Sequence, residues 1–203
     1  MPWKSRSVFV VALVAGLLAA GVPALAEEAL STLQRILRNA HDQVGVTIHY
    51  DPSYQTIAFP GGDVPLDRGV CTDVVVRAYR SVGIDLQLLV NQDMKQAFHA
   101  YPRLWRLSRP DPNIDHRRVQ NLATFFTRHG TVLPTSNDAR DYAPGDIVTW
   151  RLPGGQPHIG LVSDQERDGR RLVVHNIGSG AKLEDILFAY QITGHYRFRL
   201  DQN

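Results

Sequence analysis

Apolar residues recur at helical spacing over residues 29–44, where Leu30, Leu33, Ile36, Leu37 and Ala40 share one face and Ser31 and Thr32 lie near the start. Residues 46–50 read as a short extended piece. Residues 51–68 are loop-like, broken by Pro52, Pro60-Gly61-Gly62, Asp63 and Pro65. An apolar run at 72–82 predicts a buried helix closed by Gly83. Further helices are predicted at 86–99 and at 117–129, the latter ending at Gly130; the Pro-, Asp- and Arg-rich stretch 101–115 between them reads as an ordered loop. The period then changes to two. Alternating segments at 146–152, 158–163, 171–175 and 196–200, separated by Pro144-Gly145, Gly154-Gly155 and Asp168-Gly169, predict strands. Helices first and closely spaced strands later imply an α+β domain with a small antiparallel sheet.

The first 26 residues carry a different pattern. Lys4 and Arg6 precede an uncharged apolar stretch at 8–20, and Ala24-Leu25-Ala26 follows Pro23 as a small-x-small site. This is the layout of a cleaved secretory signal, and the apolar stretch is short for a membrane span. Residues 27–203, about 177 in number, are enough for one domain with a sizeable core. Loss of Lys4 and Arg6 leaves equal numbers of basic and acidic residues. With no basic cluster, a nucleic-acid partner is not expected. The expected product is a soluble monomer in the periplasm or outside the cell, without a membrane span. The chain shows no internal repeat and no low-complexity segment.

Export makes the single cysteine, Cys71, informative. Exported chains carry paired cysteines or none, because a free thiol oxidises or cross-links. An odd cysteine in that setting reads as a reactive thiol. Cys71 falls at the predicted start of the 72–82 helix, where backbone N–H groups and the helix dipole favour a thiolate and can stabilise an oxyanion. A thiol nucleophile needs a general base and a group that orients the base. His158 opens one predicted strand and His175 lies on the next, so an antiparallel pairing can bring their rings together. The bland reading is a core cysteine, since Val70, Val74, Val75 and Val76 surround it in sequence.

The order Gly69-Val-Cys71-Thr-Asp73, Pro144-Gly-Asp146-Ile-Val148, His158-Ile-Gly160-Leu-Val162 and Val174-His175-Asn176 resembles the NlpC-type branch of the papain-like cysteine peptidases. More closely, Pro60-Gly-Gly-Asp-Val-Pro65, Gly69-Val-Cys-Thr-Asp-Val74 and Asn113-Ile-Asp-His-Arg-Arg118 resemble an uncharacterised family of exported bacterial proteins, domain of unknown function 1287. The resemblance implies a papain-like fold with the nucleophile at a helix N-terminus. It implies amide hydrolysis, often in the peptide stems of peptidoglycan, with Cys71 as nucleophile, His158 as base and His175 as orienting residue. No cofactor is implied. The chain departs from the branch in having Val70 before the cysteine and Thr72-Asp73 after it. The branch also often places a tyrosine shortly before the cysteine to help bind the oxyanion. Here Phe59 lacks a hydroxyl, and Tyr54 and Tyr50 are more distant. About 60 residues at 84–143 read as an insertion that could wall the cleft.

Asp73 caps the first helical turn or binds a substrate amine; turned into the site, it would need a cation such as Arg77 beside it. Asp115, His116 and Arg117, with Asp111, Asn113 and Arg118, form a polar cluster in the insertion. The cluster is either a substrate-binding wall, in which arginine clamps stem carboxylates, or a helix cap and loop network. Trp105 and Trp150 read as core or cleft lining, and Glu184 and Asp185 as a solvated turn. Two rival classes stay open. One is a non-catalytic cell-wall-binding or envelope-assembly module on the same fold. The other is a zinc site drawn from Cys71, His158, His175 and His116, although no close ligand pair is present.

Overall fold

The computed structural model describes Met1 and residues 30–198. The expected signal peptide, beyond Met1, and the end of the last expected strand lie outside the described residues. Helix α1 (Thr32–Asp42) starts where Ser31 and Gln34 form a reciprocal capping box, and it buries Ile36, Leu37 and Ala40. Strands β1 (His49–Tyr50) and β2 (Arg68–Gly69) form a two-stranded parallel ladder, with Tyr50 opposite Gly69. Helix α2 (Cys71–Arg80) follows at once, and every residue from Cys71 to Tyr79 is buried. Helix α3 (Leu86–Ala97) is capped by Asp85, and helix α4 (Val119–His129) ends at Gly130.

Six strands complete the fold: β3 (Thr131–Val132), β4 (Ile147–Arg151), β5 (Pro157–Arg167), β6 (Arg170–Asn176), β7 (Ala181–Glu184) and β8 (Gln191–Arg197). They form one antiparallel sheet in the order β3-β8-β4-β5-β6-β7. The mixed helix-and-sheet class read from the sequence is the observed one. The differences lie at the edges. Strands β3 and β7 were not expected, because they have two and four residues and too little alternation to register as a period. Strand β8 begins five residues earlier than expected, since its start is irregular where the register with β4 shifts between Thr149 and Trp150.

The sheet has two apolar faces. Ile147, Ile159, Leu161, Val174 and Tyr196 pack with α1, α2, α3 and α4 in the main core. Val148, Trp150, Val162 and Val173 face the other way, where Tyr142, Ile186 and Leu187 cover them. Full burial of such side chains stabilises by roughly 1.5–3 kcal/mol each. The indole of Trp150 donates to the Leu187 carbonyl at 2.9 Å, which satisfies its one polar atom. Among the described residues, no helix is long and apolar enough to cross a membrane.

Candidate active site

Asp146, in the Pro-Gly-Asp turn, anchors the sheet that carries the histidines. Its buried carboxylate accepts from the Ala143 N–H at 2.8 Å, meets His195 Nε2 at 2.9 Å and accepts from Arg197 Nε at 2.7 Å. Burial alone would raise its pKa; the bonds from His195 and Arg197 outweigh burial and hold it below the ordinary value. His195 belongs to this anchor, stacked on Tyr142.

The α2 N-terminus meets the sheet where β5 begins and β6 ends. Asn176, the last residue of β6, donates through Nδ2 to the Gly69 carbonyl at 3.1 Å. The β5–β6 register starts at Gly160 opposite His175. One residue earlier, the Ile159 N–H faces the Cys71 sulfur, as do the N–H groups of Thr72 and Cys71 itself. The thiol is thus held beside the backbone of His158. Across the strands, His158 Nε2 lies 3.2 Å from His175 Nδ1, with the two rings nearly perpendicular. Gly160 permits this approach: a Cβ there would sit 2.6 Å from Val173 Cγ1 and 3.2 Å from the His175 Cβ. That contact is the physical reason for glycine two residues after the histidine.

Burial dominates the electrostatics. It pushes the Cys71 thiol up to about 12, although the three N–H groups pull the other way. The sequence had pointed to a lowered thiol pKa from the helix dipole; the enclosure of the sulfur, with Cys71 only 4 % exposed, outweighs the dipole. Burial, and then His175, pushes His158 down to about 3. His175 is also lowered by burial, partly opposed by Glu184. Thiol and imidazoles are therefore all neutral at pH 7.

Two further groups join this constellation. Glu184 Oε2 lies 3.0 Å from His175 Nε2. The sequence placed Glu184 in a solvated turn. The unrecognised β7 instead pairs Lys182 with His175, which puts Glu184 two residues along on the same face. Tyr50 is within electrostatic reach of Cys71, Asp73 and Arg117; burial and then the Cys71 charge push its phenol up to about 12. Its place depends on the β1–β2 pairing, which no local pattern reveals. Of the other two aromatic candidates, Tyr54 bonds Asp111 and Asn113, and Phe59 lies under Lys95.

The four residues considered for substrate binding, Asp73, Asp115, His116 and Arg117, take the structural alternative instead. Asp73 accepts from the Val70 N–H at 2.7 Å and from Arg117 Nε at 3.0 Å. Arg117 also donates to the carbonyls of Ser53 and Asp51 at 3.1 and 3.0 Å. Both side chains are almost fully enclosed, so this pair ties the loop before β2 and the turn before α4 to the α2 N-terminus, and it offers nothing to a ligand. The cation beside Asp73 is Arg117, since Arg77 pairs with Asp63 instead. Asp115 is buried and accepts from Asp111 N–H and Arg118, which raises the loop-network reading over the wall. His116 is buried, within electrostatic reach of Arg117, Arg80, Asp85 and Asp63, and its Nδ1 has no partner. Among the described residues, no group of three or more His, Cys, Asp or Glu is disposed to hold a metal.

Residues 37–198 match the family model described as a domain of unknown function, DUF1287. The uncharacterized protein YijF of Escherichia coli is 53% identical over 177 residues, covering 87% of this chain and 86% of that protein. Among solved structures, a Staphylococcus aureus protein described as similar to lipoprotein, NLP/P60 family, aligns with a TM-score of 0.39 at 13% identity. The alignment covers 82% of this chain and 41% of that one, so this chain spans less than half of that protein's length.

Proposed function

Because the chain belongs to the DUF1287 family, whose description names no reaction, we propose its chemistry from the site itself: thiol-dependent hydrolysis of an amide bond on a papain-like framework. The observation that carries this reading is the linked pair of imidazoles, 3.2 Å apart, beginning at the residue next to the N–H that faces the only thiol. In the proposed step, the Cys71 sulfur attacks the carbonyl carbon while its proton passes to His158 Nδ1, the ring nitrogen not engaged by His175. Collapse of the tetrahedral species breaks the C–N bond, and His158 returns the proton to the leaving amine. Water, deprotonated by the same nitrogen, releases the acyl group and restores the thiol. The Cys71 N–H and the Tyr50 hydroxyl are the proposed donors to the oxyanion; a phenol pushed up to about 12 stays protonated at neutral pH and can donate.

The proposed substrate is the peptide stem of peptidoglycan, met in the periplasm or outside the cell after removal of residues 1–26. The compartment and the motif resemblance support this choice. The buried, neutral thiol favours a second reading, a cell-wall-binding module that keeps the fold without turnover. Purified sacculi and their soluble fragments, incubated with residues 27–203 or with the Cys71→Ala variant and read by mass spectrometry, separate the two. New fragments from the unmodified protein alone support hydrolysis, and their masses name the bond. Identical products from two folded proteins would make the binding module the better account.

A further inference from the structure

We infer that Glu184 is a positioning residue that sets the tautomers of both histidines. Its consequence for turnover rests on the hydrolase reading, whereas the tautomers themselves do not.

A carboxylate can only accept, so Glu184 Oε2 at 3.0 Å fixes the proton of His175 on Nε2. Burial opposes a second proton on that ring, which leaves Nδ1 as a lone pair. That lone pair faces His158 Nε2 at 3.2 Å and must accept, so His158 carries its own proton on Nε2. The remaining nitrogen, His158 Nδ1, is then a lone pair, the form a base needs. One carboxylate on the edge strand thus orients a proton two rings away. The other groups around the rings do not oppose this order. On β7, Lys182 stands opposite His175, and its charge disfavours protonation of that ring. On β4, Trp150 stands opposite His158 with ring centroids 5.8 Å apart, and its N–H is engaged elsewhere.

Without Glu184 the chain can reverse. His175 can place its proton on Nδ1 and donate to His158 Nε2, which forces the His158 proton onto Nδ1. The base then presents a proton where it should present a lone pair. The Glu184 side chain is 42% exposed, so water can replace part of its bond. The expected loss of kcat is therefore on the order of tenfold, below that for a fully buried orienting carboxylate, with KM little changed.

The test uses residues 27–203 with 15N-labelled histidine, as the unmodified protein and as the Glu184→Ala, Glu184→Gln and Cys71→Ala variants. Two-bond 15N–1H spectra at pH 7 report each ring's tautomer. We expect Nε2–H forms for His158 and His175 in the unmodified protein, a mixture in Glu184→Ala, and recovery in Glu184→Gln, whose amide oxygen still accepts. Turnover should follow the same order. Unchanged tautomers in Glu184→Ala would overturn the inference whatever the activity. So would mixed tautomers with unchanged kcat. Tautomers that respond as expected in a protein that cleaves nothing would uphold the tautomer assignment and remove the hydrolase reading instead.

Discussion

Asp73→Ala is the variant that separates a structural pair from a substrate contact. In the folded chain the carboxylate accepts from Val70 N–H and from three Arg117 donor contacts, at 2.7 to 3.2 Å. Both side chains are 3% exposed or less. Truncation leaves the Arg117 guanidinium buried with only the carbonyls of Ser53 and Asp51, and it strips the α2 N-terminus of its cap. Breaking a buried pair from one side costs about 3–5 kcal/mol, and the lost cap adds about 1 kcal/mol. For a urea m value of about 2 kcal/mol/M, the midpoint should fall by about 2–3 M. Urea unfolding followed by far-ultraviolet circular dichroism measures this directly. Replacing both partners with Asp73→Leu and Arg117→Met should recover part of the loss, because no charge is then left unpaired. A midpoint shift below about 0.5 M, together with a raised KM in Asp73→Ala, would refute the reasoning. That pattern would mean the carboxylate meets solvent and substrate rather than arginine.

Three other expectations follow from the same geometry. Gly160→Ala inserts a methyl 2.6 Å from Val173 Cγ1 and should push β6 and His175 away from β5, costing about 1–3 kcal/mol in urea and more than tenfold in kcat; crystallography of the variant should show the wider ring separation. Tyr50→Phe keeps the ring and removes one proposed oxyanion donor, so kcat should fall about a hundredfold with little change in melting temperature; an unchanged kcat would place the oxyanion on backbone N–H groups alone. Burial, then Arg117 and Arg80, lowers His116 from 6.5 to about 4, so the unfolded chain binds the proton first as pH falls. Stability from this group is complete above pH 6.5, declines by about 3 kcal/mol toward pH 4, and should decline less in His116→Leu, as urea midpoints across that range will show.

Local chemistry made the centre of the site legible, and non-local pairing hid its periphery. Cys71 could be placed at a helix start because Gly69-Val70 precede an apolar run. His158 and His175 could be placed on adjacent strands because Asp168-Gly169 marks the turn between them. The structure brings these three to one end of the sheet. Tyr50 could be named only as a distant candidate, since a parallel ladder of two residues joins it to Gly69 across the long loop between them. Glu184 was missed for a related reason: β7 has four residues, one of them lysine and one glutamate, and resembles a turn. The polar cluster at 111–118 was legible only as a choice between two readings. Its sequence allowed either a substrate-binding wall or a loop network, and the burial of Asp115 and Arg117, which only their partners could disclose, favours the network. The reading of Asp73 as a cap came from its place in the first helical turn, and its bond to Val70 N–H is that cap.

The neutrality of the thiol bears on how such a site would work and why a lone cysteine would persist in it. Burial raises the cost of a thiolate at Cys71 and of an imidazolium at His158, each taken separately. In the proposed step the two charges would form together as one proton moves between them, so each would offset part of the other's penalty. In the proposed mechanism an entering carbonyl carbon would remove the remaining penalty, because the negative charge would pass from sulfur to an oxygen among the Tyr50 hydroxyl and the α2 N–H groups. That mechanism would favour proton transfer coupled to attack over a thiolate that waits for substrate. The same arrangement protects the residue. Oxidants and disulfides react with the thiolate, and a neutral sulfur that is 4 % exposed presents almost none. On the proposed reading, an unpaired cysteine would be tolerable in an oxidising compartment because it would be activated only when the site is filled.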